Sequence, residues 1–385
     1  MTRPSTPPEE TGPASRLWRR SAEAGDFARF NREGTTLARD GVLELEASAP
    51  TENAPLPAGA SDGGTVSLGA SYRVGTAVSD EQLLPDGFDS VIPSFDVTTP
   101  PGTWVRVTVA ARVEGSWTKD YDFGVWALER DTVARQSVNG QEDAHGTVYT
   151  DTLALKKKAD ALRLKVWLYS TRPEVSPRVR AVSAAVTNTR RKPTDGPAER
   201  TAWGTRLEVP GYSQMLYPDG GPVWCSPTST TMLLSYWSQK LGRPEFVETV
   251  PQAAAHTYDA VYQGTGNWSF NTAYASAMSG GALHALVARF DSFAQVEQLV
   301  AAGIPVSISI AYEEGKLTGS PVRSSDGHLL VVKGFTPQGD VICNDPAFRS
   351  NETVEVTYKR EELWRAWRHS RGAAYVLWPS GTALP

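Results

Sequence analysis

Apolar and polar residues alternate through most of the first half of the chain, and they recur at three- and four-residue spacing through much of the second. Val42-Leu43-Glu44-Leu45-Glu46 and Trp104 to Val113 follow period two, the pattern of a strand with one face in a core. Tyr72 to Val74, Ser90 to Val97, Phe123 to Leu128, Leu162 to Tyr169 and Val179 to Val186 repeat it, and Thr65 to Leu68 and Thr147 to Leu153 read as strands of the same series. Gly- and Pro-rich turns separate them. Many short strands punctuated this way predict an antiparallel β-sandwich over residues 15–190. Arg16 to Phe30 reads as a short helix or an irregular lead-in strand, and residues 1–14, rich in Pro, Thr and Glu without an apolar period, read as disordered.

The rhythm then breaks. Thr187 to Ala202 is charged, contains Pro and Gly and has no apolar period, which places a linker at residues 191–204. Beyond it, 205–385 mixes helical and strand periods. Helices are expected from Cys225 onward, over Pro251 to Gly264, Phe270 to Met278, Phe293 to Ala302 and Arg360 to Arg368. Strands are expected at Ala282 to Arg289, Pro305 to Ile310, Gly327 to Phe335, Val341 to Asn344 and Ala374 to Trp378. Helices first and a β-meander later is an α+β pattern.

Composition narrows the function classes. A net charge of −5 over 385 residues argues against a nucleic-acid footprint or a polybasic membrane anchor. No apolar run approaches the ~20 residues of a spanning helix. Met1 to Glu10 lacks the apolar core of a signal peptide, so the N-terminus as given reads as cytoplasmic, and the protein would be secreted only if a leader is missing. Two cysteines and few histidines do not make a structural zinc site, and no metal or cofactor is expected. Trp104, Trp117, Trp126 and Trp167 are expected mainly in the sandwich core, with a glycan or cell-wall platform as the alternative.

The candidate chemistry sits at one helix start. In Val223-Trp224-Cys225-Ser226-Pro227, Ser226 and Pro227 are start signals, and Met232, Leu233, Tyr236 and Trp237 give the following helix one apolar face. Cys225 is thereby exposed to the free N–H groups and positive end of that helix, a setting that favours thiolate; the other reading is a small buried hydrophobe. A nucleophilic cysteine needs a base, and the base an orienting group. Of the five histidines, His145 lies in the first half, His256 and His369 lie on polar helical segments facing solvent, and His284 lies within a strand. His328 opens an apolar strand just after Asp326-Gly327. The hairpin partner of that strand ends in Asn344-Asp345-Pro346, so Asp345 returns to the end where His328 stands. An ordinary strand histidine and an Asx turn before Pro346 are the alternatives. Gln214, in the loop before Cys225, carries an amide suited to an oxyanion. Residues 264–271 (GTGNWSFN) are expected to wall the substrate pocket, with Trp268, Asn267 and Trp224 as contacts.

This ordered set resembles the C39-like peptidases of the papain-like cysteine protease superfamily. It is carried by Val209-Pro210-Gly211-Tyr212-Ser213-Gln214, Trp224 to Ser229, Asp326-Gly327-His328-Leu329, Gly334-Phe335 and Asn344-Asp345-Pro346-Ala347. The resemblance implies a papain-like α+β fold, a Cys225 nucleophile, a His328 base, an Asp345 orienter and a Gln214 oxyanion residue, acting on a peptide or protein substrate. The bacteriocin-processing branch has Gly where Ser226 stands and is fused to an exporter, so double-glycine leader removal is not implied. The chain is closer to stand-alone actinobacterial C39-like proteins with a β-rich N-terminal region. Two alternatives use the same residues or none of them: a thiol acyltransferase or amidase, and a glycan- or protein-binding protein whose C39-like domain is inactive.

Overall fold

The computed structural model describes residues 12–52, 71–130, 132–193, 195–196 and 198–385. Most of the stretch expected to be disordered, and the strand expected at Thr65 to Leu68, lie outside the described residues. The first half is antiparallel β throughout. Its strands are joined in one thirteen-stranded sheet, where two stacked sheets were expected. The reason lies in two long strands, Gln82–Thr98 and Thr152–Ser170, that exchange partners along their length. Residues 82–91 of the first pair with Thr152–Ser170, and residues 90–98 pair with Arg178–Thr187. Thr152–Ser170 pairs in turn with Gly146–Tyr149, Thr103–Val113 and Tyr72–Val78. Register shifts near Ala159 and Val179 mark where the strands bend, as bulges do. The sheet therefore curls nearly into a barrel around Val91, Phe95, Val107, Val109, Leu164 and Val182, all buried.

Trp104 and Trp126 are wholly buried, Trp104 stacking on Tyr169 at 5.1 Å. The Arg106 and Lys165 side chains lie over Trp167, and Arg163 lies over Trp117. Trp104 and Trp126 are thus core, as expected, and Trp117 and Trp167 are half-buried beneath cationic side chains. Arg16 to Phe30 is a strand, Ser15–Ser21, followed by a single 3-10 turn at Asp26–Arg29. Thr147 to Leu153 is not one strand. It turns at Thr150-Asp151, with Tyr149 paired to Thr152 and Thr150 at φ 55°.

The second half is α+β. A six-stranded antiparallel sheet runs in the order Leu283–Arg289, Ala373–Pro379, Val306–Tyr312, Ser325–Phe335, Val341–Asn344, Glu355–Tyr358. Helix α1, Cys225–Leu241, is buried from Ser226 to Ser238. It packs on Ser325–Phe335 and against α2 (Val250–Thr257) and α3 (Trp268–Met278). Met232, Leu233, Tyr236 and Trp237 form its buried stripe, the Trp237 indole donates to the Leu377 carbonyl at 3.0 Å, and Gly242 ends the helix at φ 65°, the left-handed C-terminal cap glycine favours. The helical rhythm expected as far as Gly264 stops at Thr257. Asp259 to Gly264 is a turn closed by a bridge between its ends. The strand Glu355–Tyr358 has no counterpart in the sequence expectation.

The halves share one apolar core. Helix α3 lies against Gln82–Thr98, and the Ser269 hydroxyl donates to the Pro93 carbonyl at 2.6 Å. Asp96 and Ser94 accept from the backbone N–H groups of Ala285 and Val287, at 3.0 Å each. The wholly buried Arg135 donates from the first half to the carbonyls of Ala255 and Tyr258, and backbone acceptors are what make a buried guanidinium tolerable. The connecting stretch is docked too: Glu297 accepts from the Arg200 backbone N–H and the Trp203 indole.

Candidate active site

Helix α1 begins at Cys225 because Pro227 fits a first turn and Trp224, the residue before it, provides no side-chain cap. The first-turn N–H groups therefore have no intrahelical acceptor. Cys225 is half-buried, and the backbone N–H groups of Ser226 and Leu329 act on its sulfur to favour the thiolate. The Ser229 hydroxyl donates to the Leu329 carbonyl at 3.2 Å, tying the helix start to the strand that carries the histidine. Ser226 Oγ meets Tyr375 Oη at 2.8 Å, which holds the first turn against the sheet.

His328 lies on Ser325–Phe335, opposite Ile310, and is buried. Its Nε2 is 2.7 Å from Asp345 Oδ1, so Nδ1 is the ring nitrogen left for the Cys225 thiol, whose charge acts on the ring. Asp345 is wholly buried. Its Oδ1 also accepts from the Ala347 N–H at 3.0 Å, and Oδ2 accepts from the Tyr358 hydroxyl at 2.7 Å.

The electrostatics follow from this row. Burial pushes the Cys225 thiol up, but the adjacent His328 and the two N–H donors outweigh it, and the thiol is lowered from its ordinary value. Burial pulls the imidazole down, yet the Asp345 charge and hydrogen bond, with the thiolate, raise His328. Burial would raise Asp345, and the His328 charge, the Tyr358 hydroxyl and the Ala347 N–H hold it lower. The thiol is shifted toward giving up its proton and the imidazole toward holding it, which favours a thiolate–imidazolium pair. Cys343 is the contrast: it is buried in Val341–Asn344, and burial drives its thiol up.

Gln214 is held in the loop before α1. Its backbone N–H donates to the Pro346 carbonyl at 2.9 Å, directly after Asp345, and its side-chain Nε2 donates to the Gly221 carbonyl at 2.6 Å. Gly221 passes so close to the Gln214 carbonyl that a Cβ there would collide with it. One of the two amide protons is thus engaged. The buried Oε1 has no partner among the described residues. Asn344 anchors the same loop, its amide donating to the carbonyls of Val209 and Pro210 at 3.0 and 3.2 Å.

Cys225, His328 and Gln214 line one cleft of about 840 Å³. Trp268 lines it as well. Trp224 and Asn267, expected beside it, do not. The Trp224 ring packs on Tyr217 and against Gly220, where a Cβ would collide with it. Asn267 caps α3 instead: its Oδ1 accepts from the Phe270 N–H at 3.1 Å, and its amide donates to buried Asp259 at 2.9 Å. His369 is exposed, as expected, and also borders the cleft, as do Tyr262 and the Tyr149-Thr150-Asp151 turn of the first half. Tyr358 was missed because its strand is four residues long and its role depends on a partner thirteen positions away. The Asx-cap signal at Asn267 was present in the sequence, three residues before Phe270. Among the described residues, no group of three or more His, Cys, Asp or Glu side chains gathers as a metal site, and no helix is long and apolar enough to cross a membrane.

Two family models match. Residues 17–187 match the Peptidase C39 N-terminal domain, and residues 206–375 match the Peptidase_C39 like family. No curated protein matches the chain.

Proposed function

The chain belongs to the C39-like peptidase family, and on that premise we propose that it is a cysteine peptidase that cleaves peptide bonds through Cys225, His328 and Asp345, with Gln214 at the oxyanion. We assign the second half a papain-like architecture on the same grounds: a helix that begins at the nucleophile, packed on an antiparallel sheet that carries the base.

The Cys225 thiolate attacks the substrate carbonyl carbon. The carbonyl π electrons move onto oxygen, and the oxyanion is met by the Cys225 backbone N–H and the second proton of the Gln214 amide. When the intermediate collapses, the C–N bond breaks and imidazolium His328 gives its Nδ1 proton to the leaving amine. Neutral His328 then takes a proton from water, hydroxide adds to the thioester, and the carboxylic acid product leaves as the thiolate is restored. Asp345 keeps Nε2–H in place and stabilises the imidazolium at both protonation changes.

The observation that carries this reading is the placement of His328 between Cys225 and Asp345, with thiol and imidazole shifted in opposite directions. A domain kept only for binding would have no need of a lowered thiol. The experiment is peptide-library profiling of wild type against Cys225→Ala. Discrete cleavage products that vanish in the variant support the assignment, and products that persist overturn it.

A further inference from the structure

Two hairpin tips, one from each half of the chain, border the cleft beside Cys225. Tyr149-Thr150-Asp151 joins strands Gly146–Tyr149 and Thr152–Ser170, and Asp259 to Gly264 forms the facing turn. Each tip holds one non-glycine residue in the left-handed region, Thr150 and Gln263, both at φ 55°. Such residues are uncommon and are concentrated at ligand sites. Each tip also offers an aromatic ring: Tyr149 is 65% exposed and Tyr262 50% exposed. Trp268 supplies a third ring along the same wall.

Asp151 stands among them. It is only 7% exposed, with Oδ2 accepting from the Trp268 N–H at 2.5 Å and Oδ1 accepting from the Thr152 hydroxyl at 3.0 Å. A buried carboxylate ordinarily has a cation against it. Here, among the described residues lining the cleft, there is no lysine or arginine; its carboxylates are Asp151 and Asp326. Arg289, whose charge acts on Asp151, donates to the hydroxyls of Ser90 and Thr187. Burial raises Asp151 to about 6, which leaves most of it ionised at neutral pH.

We propose that this corner is a specificity subsite for a cationic side chain, lysine or arginine, of the peptide held at Cys225. The charged head meets the Asp151 carboxylate, and the methylene stem lies on the faces of Tyr149, Tyr262 and Trp268. A carboxylate bordered by exposed rings suits a cation with an apolar stem better than an acidic or short polar group. The N-terminal half then supplies part of the substrate site, beyond any role in stability. The proposal rests on the peptidase reading for the word substrate, but the subsite itself can be measured without turnover.

The test uses the full chain and a set of decapeptides in which lysine or its neutral isostere norleucine is walked through each position. Binding to Cys225→Ala is read by calorimetry, and cleavage by wild type as kcat/KM. At one position, lysine should be favoured over norleucine by roughly tenfold or more in both readouts, the scale of one charge-assisted hydrogen bond. Asp151→Asn, which keeps an acceptor for the Trp268 N–H, should bring that ratio to about one. Tyr149→Ala, at an exposed position, should lower it several-fold. A ratio near one at every position in the unmodified subsite, or a ratio that survives Asp151→Asn, overturns the proposal. Selective binding without cleavage keeps the subsite and removes the peptidase reading; cleavage indifferent to charge does the reverse.

Discussion

Removing the Tyr358 hydroxyl should cost both stability and turnover, although Tyr358 cannot touch substrate. Asp345 is wholly buried, and its two other partners, His328 Nε2 and the Ala347 N–H, both meet Oδ1. The Tyr358 hydroxyl, at 2.7 Å, is the hydrogen bond on Oδ2. Tyr358→Phe leaves that oxygen charged, buried and unpaired. A hydrogen bond to a charged group contributes about 1.5–3 kcal/mol, and the dry setting puts this one in the upper half. At about 2–4 °C per kcal/mol for a domain of this size, the melting temperature should fall by roughly 5–12 °C.

The pH dependence identifies the cause. The folded-state value of Asp345 is lowered, with Tyr358 among the causes. Its contribution is therefore present above the unfolded carboxyl value of about 3.9 and is lost as pH falls through the folded value. The gap between wild type and Tyr358→Phe should be flat from pH 8 to 5 and narrow below about pH 4, as pH falls through the lowered folded value. Tyr358 acts on catalysis through Asp345 as a positioning residue. If about 1.4 kcal/mol of the loss is felt at the imidazole, kcat falls about tenfold with KM little changed. A melting shift under 1 °C, or a gap that does not narrow as pH falls below 4, would refute the hydrogen-bond argument and leave only packing.

Three further outcomes follow from the same geometry. Gln214→Ala should lower kcat by about 10²–10³-fold with a small change in KM, the usual loss of one oxyanion donor, as read by steady-state kinetics on any cleaved peptide. Asn344→Ala should strand the Pro210 carbonyl and leave the Val209 carbonyl with Lys333 Nζ alone, reduce stability by about 1–3 kcal/mol in a denaturant titration, and slow turnover by loosening the Gln214 loop. Cys343 should resist alkylation in the native protein and react only after unfolding, which peptide mapping reads directly.

The parts of the site that were legible in the sequence are those set by local rules. Helix-start chemistry fixed the direction of α1 and so the surroundings of Cys225. A short hairpin returned Asp345 to His328, because its register leaves little freedom. The parts that were not legible depend on long-range packing or on alternation with two meanings. Thr147 to Leu153 alternates as one strand would, and only the left-handed Thr150 shows that it turns into the cleft. Ser90 to Val97 reads as a single half-buried strand, but the strand runs from Gln82 to Thr98, serves two partners and closes the sheet on itself. Trp224 looked like a substrate contact from its place beside Cys225, yet a helix start sends neighbouring side chains in different directions, and the ring turns to Tyr217.

Alkylation of the native protein with iodoacetamide between pH 5 and 10, with mass mapping of the labelled cysteine in wild type and His328→Ala, tests the central claim most directly. The account predicts that Cys225 alone is labelled, with a half-maximal rate well below the pH of about 8.5 expected of a free thiol. His328→Ala should move that midpoint up to or above 8.5. A wild-type midpoint at 8.5 or higher, or one that His328→Ala leaves in place, would contradict a thiolate held by His328.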